Sequence, residues 1–231
     1  MNRILAIETT TKVCSVAVFE NGNCLHSEES NNLDYDAAEN LNPFIVQVLA
    51  KAGWELSSLS AIAVSMGPGS YTGLRIGVAS AKGLCYALNI PLIAVNPLAA
   101  MLLMLDKKRG GLDSAKTYMP MLDARRREVF SQSFNANHNA IDEVDARILE
   151  DNDPLLANDE IHFFGPGADK FKDELVGNNT LGIYPSAIFM GQIAQEKLQA
   201  KDFSDLAYFE PFYLKDFIAI KAKPKFNRRN T

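Results

Sequence analysis

Cysteine, histidine and long apolar runs are all scarce in this chain of 231 residues. The three cysteines, Cys14, Cys24 and Cys85, are odd in number, form no CxxC pair, and each lies in an apolar run. Such residues are expected to be buried, reduced and structural, which argues against zinc ligands and against a thiol nucleophile. His26, His138 and His162 are scattered, with no spacing that suggests joint ligation. Neither an HExxH motif nor a legible Ser-His-Asp set is present, so protease chemistry has no visible machinery. No apolar stretch approaches the roughly 20 residues that cross a bilayer. The amino terminus, MNRILAIETTTK, has one short apolar run and no signal-type core. A cytosolic protein without membrane contact is expected. The formal net charge is -5, so the surface as a whole does not attract nucleic acid, and any polyanion contact must be local.

What is present reads as an ordinary globular chain, with 47% hydrophobic and 22% charged residues. Residues 3–8 (RILAIE) and 14–19 (CSVAVF) are strand-like runs joined by a polar turn, and Asn21-Gly22 marks a hairpin with a returning strand over 23–27. From Asp36 to Ala52, Leu41, Phe44, Ile45, Val48, Leu49 and Ala52 recur at helical spacing, with Pro43 marking a kink or the first turn and Gly53 the stop. A buried strand follows over 59–66, a helix over about 71–88, and a further strand over 91–95. The order β-β-β-α-β-α-β resembles the ribonuclease-H-like unit of the actin and hexokinase superfamily, an α/β fold with helices on a mixed sheet. The second half shows another hairpin (117–123 and 128–134), a strand over 161–165 and a helix over 185–199. A degenerate second copy of the unit explains this pattern. Two lobes are expected, 1–103 and 104–231, with the carboxyl-terminal residues packing back on the first.

The most informative stretch is SMGPGSYTGLRIGVASAKGLC, residues 65–85. A Walker loop needs lysine and then serine or threonine after its last glycine, and Gly73 is followed by Leu74-Arg75. A dinucleotide loop needs GxGxxG, and Thr72 fills the third slot after Gly67-Pro68-Gly69. Two readings remain: backbone N–H groups holding an anion at the helix start, or a structural turn capped by Ser70 or Thr72. Beyond the loop, Leu74, Val78, Ala81, Cys85 and Leu88 form one apolar stripe, while Gly73, Gly77, Ser80 and Leu84 form a second, small one. The small stripe permits close approach of another helix backbone, within the core or across a subunit interface.

GPGSYTGLRIG and the downstream LDARRREVF resemble signatures of the bacterial TsaB family. The resemblance covers the first hundred residues closely and continues, more weakly, past Phe134. It implies a relative of TsaD, the catalytic subunit in making threonylcarbamoyladenosine beside the tRNA anticodon. In TsaD, two histidines four apart on a helix bind a metal; their slots here fall on Pro97 and Met101, neither of which suits a hard or borderline metal. A glycine- and histidine-rich turn of TsaD falls near DARRRE, where Ala124 and arginines stand, and Gly165-Pro166-Gly167 is the nearest counterpart of its late glycine-rich segment. The resemblance therefore implies a catalytically silent paralogue, with no cofactor and no metal, that forms a homodimer alone and a heterodimer with TsaD. An ATPase subunit, TsaE, joins the larger complex, and any tRNA contact is expected to be indirect. By position, the pairing surface would comprise Leu41, Phe44, Ile45 and Val48 on the first helix and Tyr71, Arg75, Ile76 and Gly77 on the second, shaped by the loop residues Gly67, Pro68, Gly69 and Gly73. The alternative for Leu41, Phe44 and Val48 is that they face the sheet.

Two charged features stand apart. DARRREVF gathers Asp123, Arg125, Arg126, Arg127 and Glu128 at a hairpin tip or strand edge. An arginine cluster can hold phosphate or tRNA backbone, although alternating charges at a turn favour the solvated or internally paired reading. The tail over 221–229 carries five basic residues and a proline, and reads as a flexible end or a contact for tRNA or a partner. Three function classes result: a non-catalytic subunit that activates the tRNA-modifying enzyme, a glycoprotease-like metallopeptidase, and an actin-like ATPase. Missing site residues disfavour the second, and Glu8-Thr9-Thr10-Thr11, which lacks the glycine that admits phosphates, disfavours the third.

Overall fold

Alternation along the first strands decides how the chain is layered. In β1 (Arg3–Glu8), Leu5 and Ile7 enter one apolar core while Ile4 and Ala6 enter another, because successive side chains of a strand point to opposite faces. A strand apolar on both faces must lie inside a sheet covered on both sides. The computed structural model, which describes residues 2–30, 37–177 and 179–214, places β1 at the centre of a five-stranded sheet. β2 (Ser15–Glu20) and β3 (Asn23–Glu29) continue antiparallel on one side; β4 (Ala61–Ser65) and β5 (Leu92–Val95) run parallel on the other. Two helices, α1 (Ala37–Ala52) and α2 (Tyr71–Leu88), cover the face that carries Leu5 and Ile7. The helix α1 passes through Pro43 without interruption. The helix start expected at Asp36 and the basic tail over 221–229 lie outside the described residues.

The second sheet repeats the strand order of the first. β6 (Thr117–Asp123) is central, β7 (Glu128–Ser131) and β8 (Asp145–Ile148) extend it antiparallel, and β9 (Ile161–Phe164) and β10 (Asn179–Thr180) extend it parallel. Written from the hairpin side, the sheets read β3-β2-β1-β4-β5 and β8-β7-β6-β9-β10. The fold is α/β, with two ribonuclease-H-like lobes of the actin and hexokinase type. The second is degenerate: turns replace the helix between β8 and β9, and α4 (Pro166–Asp169) is a single turn.

The remaining helices cross between the sheets. α3 (Pro97–Arg109) follows the first sheet but sends Leu98, Met101, Leu102 and Leu105 into a core with Tyr118, Leu122 and Phe164 of the second. α5 (Met190–Ala200) follows the second sheet yet packs Met190 and Ala194 against Ile4, Ala6, Ala61, Ala63 and Ile93 of the first. The small alanines let this helix approach closely, and a Cβ at Gly191 would collide with the Phe19 ring. A segment after α5 then runs back over α2: Ser204 N–H donates to the Leu92 carbonyl at 2.9 Å and Phe212 N–H to the Met66 carbonyl at 2.7 Å. No helix among the described residues is long and apolar enough to cross a membrane.

Candidate functional site

The glycine-rich loop between β4 and α2 lies against the turn that joins β1 to β2. Ser70 N–H donates to the Thr10 carbonyl at 2.6 Å, and the Thr9 hydroxyl donates to the Gly73 carbonyl at 2.8 Å. A Cβ at Gly73 would fall on the Thr9 carbonyl, one at Gly77 on the Thr9 hydroxyl, and one at Gly69 against Thr10. Gly67 has φ +103, and a Cβ there would sit 2.8 Å from the Phe212 carbonyl. The close neighbour of Gly73 and Gly77 is therefore this turn, not a second helix. At the helix start, the Ser70 hydroxyl accepts from Gly73 N–H at 3.3 Å, and Leu74 N–H donates to the Ser70 carbonyl at 2.8 Å. Two of the backbone donors at this helix start, those of Ser70 and Gly73, are thus engaged within the protein.

Beneath the turn, at the carboxyl edge where open α/β sheets bind ligands, stands Glu8. It is fully buried. Its Oε1 accepts the Thr10 N–H at 2.6 Å and the Thr10 hydroxyl at 2.5 Å, and its Oε2 accepts the Ser65 hydroxyl. Burial pushes its pKa above the ordinary carboxylate value, against the lowering effect of these donors. Ser65 also touches the Met190 sulfur at 3.6 Å, so the first turn of α5 closes this carboxylate off. Beside it opens a cleft of about 340 Å³ lined by Val13, Glu29, Ser30, Lys108, Tyr184 and Ser186, and the Ser186 hydroxyl donates to Glu29 at 2.7 Å across its wall.

The two slots that would hold histidines in the catalytic relative are both interior. Pro97 occupies the first turn of α3, capped by the Asn96 side chain accepting from Leu98 N–H at 2.9 Å, and Met101 has no exposed surface. Neither supplies an accessible nitrogen or oxygen donor, and no group of three or more His, Cys, Asp or Glu suited to a metal occurs among the described residues. The residues present do not fit a bound metal there.

The positional list for the pairing surface divides between interior and surface. Leu41, Ile45 and Val48 are buried against the sheet, and Gly77 is buried against Thr9; helical spacing found a shared face, and that face points inward. Phe44 and Ile76 are half-buried at the edge of the same core. Tyr71 is half-buried, its ring tilted against that of Tyr213 with centroids 5.0 Å apart, and the exposed Arg75 lies 5.6 Å from its ring centre. The outward faces of the helix pair carry other residues, among them Asn42, Pro43, Val46 and Ala50 on α1, and Thr72, Arg75, Ala79, Gly83 and Tyr86 on α2. Val46 is 66% and Tyr86 83% exposed, and a Cβ at Gly83 would meet nothing within 4 Å. Charged and polar groups flank these residues, Arg75 on α2 and Glu39, Gln47 and Lys51 on α1. The signal was legible as the complement of the core stripe on each helix. Lys82 adds an anchor that periodicity did not reveal, donating to the carbonyls of Ala207 at 3.3 Å and Phe209 at 2.8 Å.

The arginine cluster also divides. Arg127 reaches Glu174 at 2.7 Å and Asp151 at 3.2 Å, while Arg125 and Arg126 are exposed.

Comparison with known proteins agrees with this architecture. The family profile described as "TsaD: tRNA N6-adenosine threonylcarbamoyltransferase" matches residues 35–176, more than half of the chain. A protein from Haemophilus influenzae named tRNA threonylcarbamoyladenosine biosynthesis protein TsaB is 27% identical over 235 residues, covering 96% of this chain and 97% of its own. The Escherichia coli protein of the same name is 33% identical over 139 residues, 60% of this chain and 58% of its own. A solved structure described as YeaZ from Pseudomonas aeruginosa superposes with a TM-score of 0.77 at 25% identity, covering 93% of this chain and 100% of that one. The chain belongs to the TsaD family, on the branch that carries the names TsaB and YeaZ.

Proposed function

We propose that this chain serves tRNA threonylcarbamoyladenosine biosynthesis as a non-catalytic subunit that pairs with the threonylcarbamoyltransferase TsaD and activates it. The observation that carries the reading is the full-length likeness to a protein named for that biosynthesis, in a chain whose Glu8 is closed off and whose Pro97 and Met101 are interior. A subunit without chemistry of its own acts through a surface. The outer face of α1 and α2 exposes Val46 and Tyr86, candidates for the buried anchors of an interface, with Arg75 at the rim. Small residues at Ala79 and Gly83 permit close helix approach. The same face pairs two copies when the partner is absent, and TsaE joins the assembled complex.

Gly83→Arg tests the surface. Gly77→Arg would strike the Thr9 turn and disrupt the fold, whereas Gly83 faces open space and arginine is the better helix former. Light scattering of the chain, alone and mixed with TsaD, is expected to show a homodimer that exchanges into a heterodimer, with both lost in Gly83→Arg and in Val46→Glu. Normal pairing by both variants would overturn the assignment of the surface. In cells lacking the chain, absence of any fall in the modified nucleoside would overturn the pathway.

A further inference from the structure

We propose that Arg125 and Arg126, at the tip of the β6–β7 hairpin, are a contact for the phosphate backbone of RNA. This rests on the reading above in its substrate class, tRNA, and departs from the expectation that any tRNA contact is indirect.

Arg125 has φ +73 and Arg126 φ +48. Two consecutive non-glycine residues in the left-handed region carry a conformational cost that glycine would avoid. Such a conformation points to a use for the side chains themselves. The base of the hairpin is held by other cations. Lys170 Nζ donates to Asp123 at 2.8 Å and to the carbonyls of Arg126 at 2.9 Å and Glu128 at 2.6 Å. Arg127 donates to the carbonyls of Leu149 at 2.6 Å and Glu150 at 2.8 Å as well as to Glu174, and lies over the Phe171 ring at 4.9 Å. Asp123, Glu174 and Asp151 are consequently occupied. No side-chain ion pair or hydrogen bond engages Arg125 or Arg126 among the described residues, and both are exposed. Two unpaired guanidinium groups stand on a tip whose backbone Lys170 holds and whose neighbouring acids Asp123, Asp151 and Glu174 are taken.

Guanidinium forks match phosphate oxygens and hold them in pairs. In a chain of net charge -5, a polyanion is approached through such a local feature rather than through the surface as a whole. RNA is favoured over an acidic protein because the proposed function already brings tRNA to the complex.

The test titrates an unmodified tRNA transcript against the chain alone and against its complex with TsaD, over a series of salt concentrations. The variants are the double substitutions Arg125→Gly/Arg126→Gly and Arg125→Lys/Arg126→Lys. Glycine keeps the left-handed backbone, so the glycine pair is expected to melt at or above the parent temperature. It should weaken RNA binding about tenfold and reduce the slope of log affinity against log salt by about one to two. The lysine pair should keep most of that slope. Unchanged affinity and slope in the glycine pair, or no RNA binding by either parent preparation, overturns the proposal. So does a glycine pair that keeps RNA but fails to pair with TsaD, which would assign the arginines to a protein surface. Loss of RNA binding with intact pairing supports it. If the parent itself does not pair with TsaD, the function above fails, while a glycine pair that loses RNA binding still supports the contact.

Discussion

The hydroxyl of Thr9 donates to the carbonyl of Gly73 at 2.8 Å, and the backbone of Gly73 passes so near the Thr9 carbonyl that no Cβ can stand between them. The loop glycines are therefore a packing device between a hairpin turn and a helix. Gly73→Ala and Gly77→Ala should each destabilise by about 1–3 kcal/mol through overpacking. Gly83→Ala, in open space on the same helix, should stabilise by about 0.5–1 kcal/mol. Urea midpoints of the three variants check the contrast, and equal effects would contradict it.

Glu8 is buried with three donors aimed at it. Its folded pKa is raised from 4.5, so the stability it contributes is fully present below that value and is lost as pH rises through the folded pKa. Glu8→Gln, which mimics the protonated acid, should become progressively more stable than the parent as pH rises above about 4.5. Glu8→Ala leaves the Ser65 and Thr10 donors unpaired beside a cavity and should cost about 2–4 kcal/mol. Denaturant melts from pH 4 to 8 distinguish the two.

His162 is 2% exposed, bonded to the Thr180 hydroxyl at 2.9 Å and set against Tyr118 and Phe164. Burial first, then the charges of Arg109 and Lys116, push its pKa down to about 4 from 6.5. A histidine held neutral contributes stability that is complete above 6.5 and falls between 6.5 and about 4, as the unfolded chain takes up the proton first. The loss is on the order of 3 kcal/mol. His162→Gln should flatten that part of the pH–stability curve, and an unchanged slope would contradict the assignment.

Lys82 clamps the segment after α5 through two carbonyls. Lys82→Met should leave the global melt within about 1 kcal/mol of the parent while accelerating amide exchange at Ser204 and Phe212, whose N–H groups tie that segment to Leu92 and Met66. Exchange unchanged at both amides would show that Leu206 and Phe209, packed on the first core, hold the segment alone.

Much of the first lobe was legible because its elements carry local signals. Asn21-Gly22 marks its hairpin, β-branched runs mark β1 and β2, and Leu41, Ile45 and Val48 trace the buried stripe of α1. The weak points have physical causes. PLAAMLLMLDKKR shows no apolar period because α3 contacts both sheets, so its sequence carries no one-sided helical stripe. β8 (DARI) is largely exposed and carries no alternation. In the candidate site, spacing identified residues that share a face without revealing whether the sheet or a partner lies opposite. That choice depends on long-range packing, such as Thr9 meeting Gly73 across 64 positions.

The exchange of α3 and α5 between the sheets gives the molecule the character of a clasp. Each lobe's sheet is roofed by a helix that the other lobe's strands lead into, so a cut in the link between Arg109 and Thr117 would leave both halves with an uncovered apolar face. Neither half is then a detachable module: the two should melt together, and severed fragments should recover the native state only when mixed.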